Sequence, residues 1–173
     1  MEYKIDIYNG DENNRFLLGN KGKNTLFVIG LNPSTADNKA PDRTIRKVMG
    51  IAEGHKCDSF VMFNLYPQRA TNPDNLHEKL NEPLFAQNLQ EIKNALSEVE
   101  KPLIFAAWSD KIEKRNYLKS CIKAIAAQIG DNAQWLKTGK FTAKGNPRHP
   151  LYAQYAWGLS EFDIKNYLEH LKF

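Results

Sequence analysis

TLFVIGLNPS, residues 25–34, is the stretch that decides the fold of this chain. Residues 26–31 are apolar or glycine without polar alternation, which is typical of a central parallel strand covered on both faces. Pro33 fixes its own φ and restricts Asn32 to extended backbone, so the strand ends in a rigid turn. Ligands of open α/β folds bind beyond the carboxyl ends of the strands, and we therefore expect the working site at Gly30–Ser34.

The rest of the chain alternates between apolar strands and amphipathic helices. Further strands are predicted at 58–66 (DSFVMFNLY), 102–108 (PLIFAAW) and 133–136, with helices after Asp42, over 85–99, over 111–129 and after Ser160. This alternation implies right-handed crossovers and parallel strands. We predict one α/β domain over residues 1–173, a three-layer α/β/α arrangement with a mostly parallel four-stranded central sheet. Residues 3–8 and 15–19 predict a small N-terminal β-hairpin beside it.

Composition places the chain among ordinary globular proteins. It has 173 residues, 42% hydrophobic and 25% charged. Charged residues among the first twenty argue against a secretory leader, and no apolar run is long enough to span a bilayer, so we expect a cytoplasmic protein without membrane association. Cys57 and Cys121 lack metal-ligand spacing, so we interpret them as reduced and expect no metal and no cofactor. The oligomeric state stays open.

Positive charge is concentrated near the carboxyl end of the chain. The formal net charge is +4, and residues 133–152 contain no Asp or Glu. Such a run is either a solvated loop or a loop that contacts phosphate. If it contacts phosphate, we expect Lys140, Lys144 and Arg148 to make the contacts.

Polar residues at the predicted strand ends are the candidates for chemistry. Asn64 ends an apolar strand, so its amide must find partners or face a cavity, where it would suit reading a base edge; otherwise it ties down the next loop. Arg69 and Thr71 in that loop bind phosphate or carboxylate, or brace it. His149, as a neutral imidazole, suits donating a hydrogen bond to charge on a leaving group. No phosphate-binding loop, dinucleotide fingerprint or nucleophile elbow occurs.

Four motifs, in order, resemble the uracil-DNA glycosylase-like superfamily. They are the turn Gly30-Leu31-Asn32-Pro33, Asn64 at the end of FVMFN, Trp108-Ser109 after a later strand, and the His149-Pro150 loop. The resemblance implies a glycosylase-like fold in which Asn32 places water or sugar, Asn64 reads the base and His149 stabilises the leaving base. LNPSTAD, NLxxxRAT and RHPLY are more closely similar to an uncharacterised bacterial and phage family of unknown function.

The chain also departs from the superfamily pattern. Asn32 replaces an Asp that activates water in some members, and Ser34 stands where the uracil-specific branch has a bulky Tyr. Leu151-Tyr152 stands where the superfamily has a serine-rich loop that pinches duplex DNA during base flipping.

We therefore expect a glycosylase-like N-glycosidase, a hydrolase of N-glycosyl bonds, or a related enzyme. Its partner would be a nucleobase, a nucleotide or a nucleic acid, including single-stranded nucleic acid. The alternative is a non-catalytic binding module for the same ligands, and a third possibility is a protein-interaction role. The predicted site comprises Asn32 and His149 as catalytic residues; Gly30, Leu31, Pro33, Ser34, Asn64, Arg69, Thr71 and Trp108 around the substrate; and Lys140, Lys144 and Arg148 at phosphate.

Overall fold

The computed structural model describes residues 1–173, which form one β-sheet with helices on both faces. The strands are β1 Ile7–Gly10, β2 Arg15–Gly19, β3 Thr25–Gly30, β4 Ser59–Asn64, β5 Leu103–Ala106, β6 Gln134–Thr138 and β7 Leu159–Glu161. The α-helices are α1 Arg43–Gly54, α2 Glu82–Leu96, α3 Asn116–Ile129 and α4 Ile164–His170. Short 3-10 helices occur at Pro73–Asn75, Asp110–Lys114, Pro150–Tyr152 and Tyr155–Trp157.

The sheet has seven strands in the order β1-β2-β4-β3-β5-β6-β7. β3 pairs in parallel with β4 and with β5, and β5 pairs in parallel with β6. The outer strands β1, β2 and β7 run antiparallel to their neighbours. The carboxyl ends of β3, β4, β5 and β6 therefore meet at one edge, and the loops that follow them can form a common site.

The predicted four-stranded, mostly parallel, glycosylase-like sheet with a hairpin beside it was wrong, because the sheet is seven-stranded and mixed. β2 extends the sheet at the free edge of β4, where Leu18 lies opposite Met62 and Gly19 opposite Val61. Pairing there satisfies backbone groups that an open edge would leave exposed. All five residues of β2 are buried, which an isolated hairpin would not achieve.

β7 was missed because three residues cannot show an alternating pattern. Leu159–Glu161 pairs with the outer edge of β6. The sequence suggested Ser160 as the cap of the last helix, but Asp163 holds that position and its side chain accepts a hydrogen bond from the Asn166 N–H at 3.0 Å. The last helix therefore begins later than predicted, at Ile164, and Leu159–Glu161 form the outermost strand of the sheet instead.

Each face of the sheet has its own apolar core. On one face α1 packs through Ile45, Val48 and Ala52 against side chains such as Val28 and Met62. The helices α2, α3 and α4 cover the other face. Within that second core the rings of Phe27 and Phe63 stack with their centroids 5.8 Å apart. No helix combines the length and apolar character that crossing a bilayer requires.

Replacing Gly19 with alanine should disrupt the pairing of β2 with β4. A Cβ at this position would lie 2.2 Å from the Phe60 carbonyl oxygen and 2.7 Å from Val61 Cα, both backbone atoms that cannot move aside. We expect Gly19→Ala to lower the free energy of unfolding by about 1–3 kcal/mol, measured by urea denaturation.

The matched control is Gly54→Ala at the end of α1, where an added Cβ meets nothing within 4 Å. This variant should keep or slightly raise the stability, since alanine favours helix. Equal stability of the Gly19 variant and the wild type would contradict the attachment of β2 to the sheet.

Candidate functional site

The core of the site is the end of the β3–β4 pair, on the face that α1 covers. Gly30 lies opposite Asn64 in the parallel register. A Cβ at Gly30 would lie 3.0 Å from Asn64 Oδ1 and 2.6 Å from Met62 Cε. Glycine at position 30 therefore leaves the space in which the Asn64 carboxamide lies.

The Asn64 side chain is buried without a hydrogen bond. Its exposure is 0%, and neither its Oδ1 nor its Nδ2 has a partner. Only the Asn64 backbone carbonyl is engaged by a side chain, accepting a hydrogen bond from Asn88 Nδ2 at 3.0 Å. An unpaired buried polar group costs about 1–3 kcal/mol, so this amide has unused capacity to recognise a ligand.

His149 begins the 3-10 helix Pro150–Tyr152, which contacts α1 and so lies on the same face of the sheet as Asn64. Its Nδ1 accepts a hydrogen bond from the Leu151 N–H at 3.2 Å, which assigns the imidazole proton to Nε2. Burial lowers the pKa of His149 to about 4. The positive charge of Lys111 adds to this shift, and the negative charge of Asp42 opposes it. The imidazole is therefore neutral near pH 7 and keeps an Nε2–H donor that makes no hydrogen bond within the chain.

Asn32 connects the loops that follow β3 and β4. Its Nδ2 donates to the carbonyl oxygens of Ala70 at 2.8 Å and Pro33 at 3.0 Å. The Ala70 N–H in turn donates to the Pro33 carbonyl at 2.9 Å, and Ser34 Oγ lies 3.3 Å from Thr71 Oγ1. The amide nitrogen is therefore committed to bracing, whereas the Asn32 oxygen can still accept a hydrogen bond.

Arg69 braces the same loops from the outside. Its guanidinium donates to the carbonyls of Ser34 at 2.7 Å and Asp11 at 2.9 Å, and to Tyr8 Oη at 2.8 Å. All three guanidinium nitrogens are thus engaged, and the open cleft beside them is also lined by Asp11, Glu12 and Asp37. Of the two roles that the sequence left open for Arg69, bracing fits this geometry and phosphate binding does not.

Arg15 is a buried charge that the sequence did not single out. It is only 2% exposed, its Nη1 donates to the Ala36 carbonyl at 2.9 Å, and its Nε has no partner. Burial, reinforced by Arg69, lowers the pKa of Arg15 to about 10, and Asp42 opposes this shift. The signal available in the sequence was an arginine directly before the apolar run Phe16-Leu17-Leu18, where a charge must be buried with the strand.

The charge of Asp42 opposes the lowering of the pKa at both Arg15 and His149. It caps α1, its Oδ1 accepting a hydrogen bond from the Ile45 N–H at 2.9 Å. Asp42 thus supplies a carboxylate at the start of α1, whereas the turn Gly30-Leu31-Asn32-Pro33 contains no carboxylate.

Leu31 and Trp108 lie in the core of the opposite face and are not brought to Asn64. The fully buried Trp108 donates through Nε1 to Tyr167 Oη at 3.0 Å. Tyr167 donates to Asn146 Oδ1 at 2.7 Å, and Asn146 Nδ2 donates to Asp110 at 2.9 Å. This chain of hydrogen bonds anchors the basic loop that carries His149, so Trp108 acts as a support for that loop.

The three predicted phosphate residues diverge. Arg148 Nε donates to the Lys140 carbonyl at 2.8 Å, and the Arg148 guanidinium lies 5.6 Å from the centre of the Trp157 ring. Lys144 points elsewhere, 3.8 Å from Glu113, into a groove of about 700 Å³ beside α4. Of the three, only Lys140 and Arg148 contact each other, and they do so through the Lys140 backbone carbonyl.

No group of three or more His, Cys, Asp or Glu side chains is placed to hold a metal ion. Cys57 and Cys121 are buried and unbonded. Burial raises the pKa of the Cys121 thiol to about 12, so it stays protonated and unreactive.

Fold and site together define an α/β domain with a mixed sheet, in which the parallel strand β4 ends at a buried amide and a later loop carries a neutral histidine. The chain belongs to the family described as Protein of unknown function (DUF1643), whose model matches residues 15–151. This confirms the expectation of a family of unknown function, and the matched range contains every predicted site residue. No curated protein and no solved structure matched the chain.

Replacing Asn64 with leucine should stabilise the protein. The substitution removes two buried polar atoms that have no hydrogen bonds while keeping a side chain of similar shape. We expect Asn64→Leu to raise the free energy of unfolding by about 1–3 kcal/mol in urea denaturation.

Asn146→Leu is the matched control, because Asn146 is also buried but its amide is hydrogen-bonded to Tyr167 and Asp110. That variant should lose stability by a similar amount, about 1–3 kcal/mol. If both variants lost stability equally, the Asn64 amide would have partners in solution and the interpretation would fail.

Stability should fall as the pH is lowered through the range set by His149. The folded-state pKa of about 4 lies below the ordinary value of 6.5, so the unfolded chain binds this proton more readily. The contribution of the neutral imidazole is complete above pH 6.5 and is lost progressively as the pH falls towards 4. An NMR titration of the His149 ring should have its midpoint near 4.

His149→Gln should flatten the loss of stability over the same pH range, because glutamine takes up no proton. The matched variant His170→Gln, at an exposed histidine of α4, should keep the wild-type profile. An ordinary midpoint of about 6.5 for the His149 ring would contradict its burial as a neutral group.

Proposed function

We propose that this protein is an N-glycosidase-like enzyme that hydrolyses the bond between a sugar and a nucleobase. The observation that carries the proposal is the Asn64 carboxamide, which is fully buried with no partner for its oxygen or its nitrogen. It lies on the same face of the sheet as the neutral His149. A pair consisting of a base-reading amide and a hydrogen-bond donor for the leaving base is what this reaction requires.

Recognition of the base would fall to Asn64. A carboxamide presents one acceptor and two donors in a single plane, which matches the pattern of polar groups on a base edge. Gly30 leaves the space in which this amide lies, so the glycine sets where the carboxamide stands at the end of the strand. In the absence of a ligand the amide has no other hydrogen bond to exchange, and base binding would satisfy it without loss.

Bond cleavage would depend on His149. As the bond between the sugar C1′ and the base nitrogen breaks, the base keeps the electron pair and becomes negatively charged. The Nε2–H of the neutral imidazole donates to that charge, which is electrostatic stabilisation of the developing anion. The oxygen of a water molecule then bonds to C1′, and one proton of that water goes to the departing base. Asn32 Oδ1 accepts a hydrogen bond from the water and so orients it for this attack.

The order of motifs supports the proposal. The turn at Asn32, the strand-ending Asn64 and the loop at His149 are similar to the sequence pattern of the uracil-DNA glycosylase-like superfamily. The small side chain of Ser34 leaves room for bases larger than uracil. We therefore propose a broader choice of base than that of the uracil-specific branch.

A binding module without catalysis is the second candidate, and the geometry of Asn32 favours it. The Asn32 nitrogen is used to brace two loops, and no carboxylate follows β3 directly in the first motif. If the carboxylate of Asp42 does not reach the water, the site of Asn64 and His149 would hold a base without cleaving its bond to the sugar.

Detection of released base tests the proposal. The wild-type protein is incubated with modified single-stranded DNA, RNA and free nucleosides, and free base is measured by chromatography and mass spectrometry. We expect Asn64→Leu and His149→Gln each to reduce release by about 100-fold or more, because each removes a preorganised polar contact.

His170→Gln serves as the matched histidine control and should release base at the wild-type rate. Binding without release across the whole panel would favour the non-catalytic module. Release that does not depend on Asn64 or His149 would exclude the proposed site.

A further inference from the structure

Three exposed aromatic side chains follow His149 along the chain. Tyr152 is 70% exposed, Tyr155 57% and Trp157 40%, and together we name them the aromatic platform. Large aromatic side chains contribute most when they are buried, so a cluster of them on the surface marks a contact surface. The proposed catalytic groups do not account for this cluster.

Two of the three platform rings are held in place by close packing against glycines. A Cβ on Gly50 of α1 would lie 2.6 Å from Tyr155 Cε1, and a Cβ on Gly139 would lie 2.6 Å from Trp157 Cε3. Both rings therefore rest on backbone that only glycine leaves open. Fixed rings lose little conformational freedom when a ligand binds, which favours affinity.

Positively charged side chains lie close to two of the platform rings. Lys47 Nζ lies 3.9 Å from the centre of the Tyr155 ring, and the Arg148 guanidinium lies 5.6 Å from that of Trp157. No Asp or Glu occurs between residues 133 and 160, and Arg43 and Arg46 add positive charge on α1. The platform and its surroundings are thus complementary to a polyanion that carries aromatic groups.

We propose that the aromatic platform binds single-stranded nucleic acid and leads it to His149. Unpaired bases would stack on the rings while phosphates contact Lys47, Arg148 and Lys140, a combination typical of single-strand recognition. The Tyr152 ring lies 6.1 Å from the His149 ring, so a base stacked on Tyr152 is next to the proposed leaving-group donor. The inference rests on the proposed function and names its substrate class.

Exposed aromatic rings favour a single strand over a duplex. Bases in a duplex stack on each other and leave their faces covered, whereas bases of a single strand can stack on protein rings.

Fluorescence anisotropy with labelled oligonucleotides of about 12 nucleotides tests the inference, using DNA, RNA and the matching duplex. We expect the double variant Tyr155→Ala/Trp157→Ala to weaken single-strand binding by about 10- to 100-fold, the effect of losing base stacking. The conservative variant Tyr155→Phe/Trp157→Phe should bind nearly as the wild type. Lys47→Gln and Arg148→Gln should each reduce the dependence of log affinity on log salt by about one.

Phe173→Ala is the matched control. Phe173 is 62% exposed and has Lys123 Nζ 4.2 Å from its ring centre, so it repeats the combination of ring and cation away from the platform. This variant should bind oligonucleotides as the wild type does. Circular dichroism confirms that each variant is folded.

Three results would overturn the inference: no oligonucleotide binding by the wild type, duplex binding as tight as single-strand binding, or an equal loss in the Phe173 control. The test is separate from that of the enzyme activity, because binding requires no chemistry. Platform-dependent binding without released base would support the platform and contradict the enzyme. Base release from nucleosides without platform-dependent binding would contradict the platform alone.

Discussion

The parallel pairing of β3 with β4 is the constraint on which the site depends. The register runs from Thr25 opposite Ser59 to Gly30 opposite Asn64. Side chains alternate between the faces of a sheet, so a shift of one residue would turn the Asn64 amide to the opposite face and place a large apolar side chain beside Gly30. Both the position of the amide and the room for it follow from this one register.

Unsatisfied polar groups are concentrated around that pairing. Every buried side-chain nitrogen or oxygen without a hydrogen bond belongs to Arg15, Asn64 or Asn88. Arg15 lies in the strand that pairs with β4, and Asn88 donates to the Asn64 carbonyl from α2. By contrast, Trp108, Tyr167, Asn146 and Asp110 are paired in one chain of hydrogen bonds. The unpaired polar atoms therefore belong to β2, β4 and α2, three elements that contact one another.

Much of the secondary structure was predictable, because it depends on local patterns. The apolar run after Thr25 and the Pro-Asp start of α1 have signals within a few residues, and β3 and α1 lie where these signals predict them. The roles of the polar residues were harder to predict from the sequence. For Arg69 the sequence left phosphate binding and loop bracing open, and only the hydrogen bonds of its guanidinium decide between them. Trp108 follows β5 but is buried in the core of the opposite face from Asn64.

The sequence by itself determined the central strands, the helices between them and the edge at which the polar residues gather. Hydrophobic periodicity and turn residues act over short distances along the chain, so they can be recognised from the sequence alone. Only the tertiary structure decided that β2 and β7 join the sheet, that Arg15 is buried and that His149 stays neutral. Those outcomes depend on partners far apart in the chain, since strand pairing and desolvation are set by neighbours that no local pattern specifies.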